Sequence, residues 1–171
     1  KDRIPQADAI FVDRMKRAGT IIIGKTNTPE FGLGSQTYNQ VFGTTLNAYD
    51  HSKAAGGSSG GAAVSLAMRM LPVADGSDHA GSLRNPSAFN NVLGFRTSFG
   101  RIPSPGNDVF DASLGVNGPM ARNVPDLALL LSVIGGFDAR LPLTRRSQLD
   151  FSAALDRDFK GARIAWLGDL N

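Results

Sequence analysis

The chain has 171 residues, 42% hydrophobic and 19% charged, with a net charge of +3 and no cysteine. These numbers fit one packed domain and exclude a disordered chain, a thiol nucleophile, disulfides and thiolate metal sites. Basic residues are scattered, with Arg145-Arg146 the densest cluster, and no run of 18 apolar residues occurs; a nucleic-acid-binding stripe and a membrane span are therefore not expected.

No signal-peptide pattern opens the chain. It begins at Lys1 rather than methionine, so its first residue is not read as a natural start. The lack of cysteine suits a cytoplasmic protein.

In chain order, residues 6–18 place Ala7, Ile10, Phe11, Met15 and Ala18 on one helical face, and Gly19 is the stop. Thr20-Ile21-Ile22-Ile23 is β-branched and reads as a buried strand. Residues 33–57 lack helical period and read as a long loop with extended pieces. Residues 60–71 predict a helix with Ala63, Leu66, Ala67, Met70 and Leu71 on one face and Ser65 and Arg69 opposite. A strand is expected at Pro72–Asp75, a helical turn at 86–91 and an extended piece at Gly94–Thr97. Residues 101–119, rich in proline and glycine, read as surface loop. Pro125 opens a helix with Leu127, Leu130, Leu131 and Ile134 on one face, ended by Gly135-Gly136. A further helix near 149–156 and a last strand at Ala162–Leu167 complete the reading. Alternating helices and strands predict an α/β protein with a layered mixed β-sheet flanked by helices.

Residues 19–26, GTIIIGKT, match the phosphate-loop pattern G-x-x-x-x-G-K-[ST]. The context argues against it: a helix precedes the first glycine, the middle is β-branched, and Pro29 delays any following helix. Lys25 is read as a structural lysine.

Two serine-rich loops stand out. Ser58 and Ser59 lie in AGGSSGGA (55–62), and Ser82 lies in SDHAGSLR (77–84), 24 residues beyond Ser58. The helix and strand between them can return the chain to one end of a sheet. The second loop offers successive small-residue N–H groups that can converge on one oxygen, as an oxyanion hole requires. A serine hydroxyl needs a base. Only His51 and His79 are available as imidazoles, and no G-x-S-x-G elbow is present. His51 is read as a solvated loop residue, and a histidine-based triad is the weaker option.

The segment GGSSGGAAVSLAMRMLPVADGSDHAGSLRNPSAF resembles the signature segment of the amidase signature family. The flanks GKTNTPEFG (24–32), FGTTLN (42–47), GFRTSFGRIP (94–103) and GPMARNVPDLALLL (118–131) extend the resemblance over nearly the whole chain. It implies an amide hydrolase with an acyl-forming nucleophile at Ser82 and a bridging Ser58 after a cis Gly57–Ser58 peptide. It also implies an oxyanion hole from the N–H groups of His79, Ala80 and Gly81. Ser59, Ser77, Asp78 and Arg84 match positions that brace these loops; for Asp78 and Arg84 a purely structural ion pair or cap is equally open. A small-molecule amide substrate is implied, no cofactor or metal is expected, and a homodimer is admitted.

The chain departs from the family pattern in two ways. The family's catalytic lysine lies upstream of the part to which GKTN belongs, and neither Lys1, Lys25 nor Lys53 falls in that motif. Residues 1–171 are therefore expected to be the central part of a single amidase domain, truncated at both ends and lacking its base. His79-Ala80 replaces a small or aliphatic residue followed by glycine, and His79 is left with two roles, substrate contact or structural donor. The alternatives are a non-catalytic scaffold with the same fold and an amidotransferase subunit.

Overall fold

The computed structural model describes residues 4–105, 114–146, 150, 151, 153 and 155–166. The α/β expectation holds. Helix α1 (Ile10–Arg17) is followed by a two-stranded ribbon, β1 (Tyr38–Asn39) and β2 (Gly43–Thr44), and then by α2 (Gly60–Ala67). The remainder is β3 (Val73–Asp78), α3 (Arg84–Phe89), β4 (Leu93–Gly94), β5 (Val116–Ala121) and α4 (Val124–Ile134). The sheet order is β3-β5-β4, and every described pairing is antiparallel.

Each face of this sheet carries its own core, because alternate residues of a strand point to opposite sides. One core joins α2 to the sheet through Ala62, Ala63, Leu66, Leu83, Val92 and Met120. The other joins α1 and α4 through Met15, Ile102, Leu130, Leu131 and Ile134, with Val73 packed against it. Helix α4 begins where Asn123 accepts from the Asp126 N–H at 2.9 Å, with proline in the first turn, and Gly135 ends it. Helix α2 ends at Ala67, earlier than its periodicity predicts. Arg69 turns there to a positive φ of 59°, and Arg122 donates to the carbonyls of Leu66 (2.9 Å) and Leu71.

Four expectations fail. Residues 116–119 are not surface loop but part of β5, the middle strand of its sheet. Asn, Gly and Pro are turn formers locally, yet here each has a tertiary reason. Gly118 lies against the Phe95 carbonyl, with no space for a side chain. Pro119 faces away from β3, and its carbonyl accepts from the Phe95 N–H at 3.1 Å just past the end of β4. Its missing N–H therefore costs no rung of the β3–β5 ladder.

Thr20–Ile23 is not a buried strand: it pairs with no strand among the described residues, and Ile21 keeps 86% of its surface exposed. β-Propensity needs a neighbour to bond to and pack on. The described residues of 149–156 form bends and turns rather than a helix, and 162–166 form no strand. Leu167 lies outside the described residues.

Candidate active site

The first serine loop is shaped by contact with backbone. A Cβ on Gly57 would lie 2.9 Å from the backbone of Gln36, and one on Gly61 would lie 2.6 Å from the backbone of Asn27. Those distances are too short for any side chain, so glycine lets the loop lie directly on residues 27–37. Thr37 fastens it: its Oγ1 donates to the Gly56 carbonyl (2.9 Å) and accepts from the Gly60 N–H (3.1 Å). The Gly57–Ser58 peptide is cis. Ser58 and Ser59 are both buried.

The second loop is shaped by a carboxylate. Asp78, the last residue of β3, is fully buried. It accepts from the N–H groups of Gly81 (2.8 Å) and Leu83 (3.2 Å), from Arg84 Nε (2.9 Å) and Nη2 (3.1 Å), and from Arg96 Nη1 (2.9 Å). Burial alone would raise its pKa. The Arg84 hydrogen bonds and the loop N–H groups outweigh burial and hold the carboxyl well below the usual carboxylate range. Arg96 also donates to the Asp78 and Leu114 carbonyls, tying the loop to the start of β5.

The structure brings the two loops together. The Ser59 N–H donates to the Ser82 carbonyl at 3.2 Å. Ser59 Oγ donates to the Ser77 carbonyl (3.3 Å) and accepts from the Ser77 N–H (3.2 Å), so it is the backbone of Ser77, not its hydroxyl, that makes the link. Asn90, fully buried, fastens α3 to the first loop by donating to the Ala55 carbonyl at 2.8 Å. Ser58 Oγ and Ser82 Oγ do not hydrogen-bond to each other or to any described residue.

Among the three expected oxyanion donors, Gly81 N–H is engaged by Asp78. The N–H groups of His79 and Ala80 meet no acceptor among the described residues, and both residues are exposed. His51 is exposed in a turn, as expected of a solvated loop residue.

Sequence reasoning missed Arg96, Asn90 and Thr37. Each works through a partner remote in sequence and carries no local signature. It also missed what surrounds Ser58. A recess of about 380 Å³ lies between the free edge of β3 and residues 20–26, and Ser58, Ser59, Lys25 and Asp75 all line it. Desolvation pushes the Asp75 carboxyl up, against its own N–H and the charge of Lys25. Solvent on its open side limits that push. No helix follows Lys25 directly, as a phosphate loop would require. No cluster of three or more metal-binding side chains occurs among the described residues, and none of their helices is long and apolar enough to cross a membrane.

Known proteins resemble this chain in sequence and fold. A family model described as Amidase matches residues 1–171. A glutamyl-tRNA(Gln) amidotransferase subunit of Methanococcoides burtonii is 43% identical over 161 residues, covering 94% of this chain and 34% of that protein. Its counterpart in Saccharolobus solfataricus is 42% identical over 170 residues, covering 99% and 35%. The chain thus spans about a third of the length of the curated relatives it matches. Among solved structures, a bacterial aryl acylamidase of the amidase signature enzymes superposes with a TM-score of 0.81 at 38% identity, covering 86% of this chain and 30% of that one. A 6-aminohexanoate cyclic dimer hydrolase complexed with substrate gives 0.79 at 36% identity, covering 87% and 32%. With the family model matching residues 1–171 and the fold shared with amidase signature enzymes, the chain belongs to the amidase signature family.

Proposed function

We propose that this chain carries the nucleophile and oxyanion loops of an enzyme that cleaves amide bonds of a small-molecule substrate. The observation that supports it most is the Ser59 N–H to Ser82 carbonyl bond, which brings two loops 24 residues apart in sequence to one end of β3. In this reading Ser82 attacks the amide carbonyl and forms the acyl intermediate. Ser58 relays the proton toward the leaving amine, and water then releases the acid. The N–H groups of residues 79–81 hold the oxyanion. With Gly81 turned to Asp78, most of that work falls on His79 and Ala80.

Asp78, Arg84, Ser59 and Ser77 act as braces that hold these donors in place. The base is a lysine outside this chain, and the recess beside Ser58 is the space open to it. Residues 1–171 are in this reading the central part of one amidase domain. A cysteine-free chain fits a cytoplasmic setting for it.

A second reading, an amidotransferase subunit, is favoured by the relatives at 42–43% identity. It differs in the fate of the released amine rather than in the role of Ser82.

The test is a fluorophosphonate probe, with the adduct mapped by peptide mass spectrometry. It is applied to this chain and to a form extended upstream of Lys1. Labelling of Ser82 in the extended form supports the mechanism. No labelling of the folded extended form would move the weight to a non-catalytic scaffold. Ammonia release from simple amides without added partner proteins separates the hydrolase from the amidotransferase reading.

A further inference from the structure

We infer that the cavity at the Ser82 end of the sheet receives an uncharged, apolar portion of the substrate, and that Gly115 sets its size. This rests on the amide-cleaving reading and adds to it the class of substrate.

The cavity holds about 390 Å³, near the lower end of the roughly 300–1,000 Å³ common for small-molecule pockets. One wall is Ser77, Asp78 and His79, where β3 enters the loop that carries Ser82. The lining also includes the apolar Phe99, Ile102, Pro103, Leu141, Pro142 and Leu143.

Charge decides what can enter. Among the described residues, the only ionisable side chains in the lining are Asp78 and His79. Asp78 is already matched to Arg84 and Arg96. A substrate ammonium or carboxylate would lose its hydration here and find no unmatched counter-charge among the described residues, whereas an alkyl or aryl group would meet apolar carbon. Asn117 and the His79 imidazole, which hydrogen-bonds to no described residue, remain as polar groups to orient the amide.

Gly115 supplies the lever. Among the described residues, a Cβ added there meets only His79 Nδ1, at 3.8 Å, and the backbone is not in the left-handed region. A larger side chain would therefore be accepted by the backbone and would take up room beside His79.

The experiment is a protein-observed NMR titration with hexanamide, benzamide and glutamine. Hexanamide and benzamide are expected to shift the backbone amides of His79, Gly115 and Thr144, with glutamine binding at least tenfold more weakly. Gly115→Leu is expected to weaken hexanamide about tenfold. Leu143→Asp, at a position 54% exposed and so tolerant of change, is expected to do the same and covers the case in which Gly115→Leu unfolds.

Glutamine binding as tightly as hexanamide, hexanamide binding untouched by both variants, or no shift with any probe would each overturn the inference. Fluorophosphonate labelling of Ser82 in the form extended upstream of Lys1, titrated in the same way, separates it from the reading it rests on. Labelling retained with no apolar preference removes the pocket and leaves the nucleophile. Variant-sensitive hexanamide binding without labelling does the reverse.

Discussion

The two serine loops meet at one end of β3 but are held by opposite means. The 55–61 loop is positioned by what it lacks: glycines without side chains let it rest on the backbone of residues 27–37, and it contains no ionisable group. The 78–84 loop is positioned by what it contains: one buried carboxylate collects two arginines and the loop's own N–H groups. The first arrangement is steric and insensitive to pH and salt. The second is electrostatic, and stands only while Asp78 is ionised and both arginines are in place. A site built from one loop of each kind can be disturbed one side at a time.

The largest effect is expected from Asp78→Ala. It strands Arg96 and several loop N–H groups, and breaking a buried pair costs about 3–5 kcal/mol; chemical denaturation reads the loss. The sign of the pH dependence follows from the direction of the shift. The folded carboxyl titrates well below its ordinary value, so its contribution is complete above the unfolded value near ~4. It is lost as pH falls from there toward the lower folded-state value. The stability gap between wild type and Asp78→Ala should therefore be flat from neutral pH down to about 5 and narrow below about 4. A gap that stays constant through that range would mean that Asp78 acts by shape rather than charge.

Gly61→Ala attacks the other loop. Its new methyl would sit 2.6 Å from the Asn27 backbone, and overpacking of this kind costs about 1–3 kcal/mol. Its gap from wild type should stay level from neutral pH down through the range in which the Asp78→Ala gap narrows. That contrast with Asp78→Ala is the sharpest check on the two mechanisms.

Thr37→Val should cost less, about 1–2 kcal/mol, through the unpaired Gly60 N–H and Gly56 carbonyl it leaves behind. Arg84→Ala should be the mildest, and milder than Arg96→Ala. Arg84 is 55% exposed on its outer side, while Arg96 is 27% exposed and also holds the Leu114 carbonyl. Equal thermal shifts for the two arginine variants would count against the assigned geometry.

Much of this was legible in the residues alone. Periodicity and end signals located α1, α2 and α4, because those helices carry their own apolar faces and, at α4, proline and glycine punctuation. The two serine loops were legible because glycine surrounds them and a helix and a strand separate them. Local rules failed where a residue's role depends on a distant neighbour. Asn117, Gly118 and Pro119 read as surface loop, yet form part of the middle strand because Phe95 and β3 lie alongside. Ile21–Ile23 read as a strand, yet find no partner among the described residues.

The sequence by itself determined which groups are on hand: serines in glycine-rich loops, an Asp-Arg pair six residues apart and no thiol. Only the tertiary structure decided which of them meet. It joined Ser59 to Ser82, turned Gly81 N–H onto Asp78, and recruited Arg96 from beyond β4. The reason is physical. Composition and spacing act over a few residues. A buried carboxylate or a close backbone contact is satisfied by whatever the fold brings within hydrogen-bonding distance.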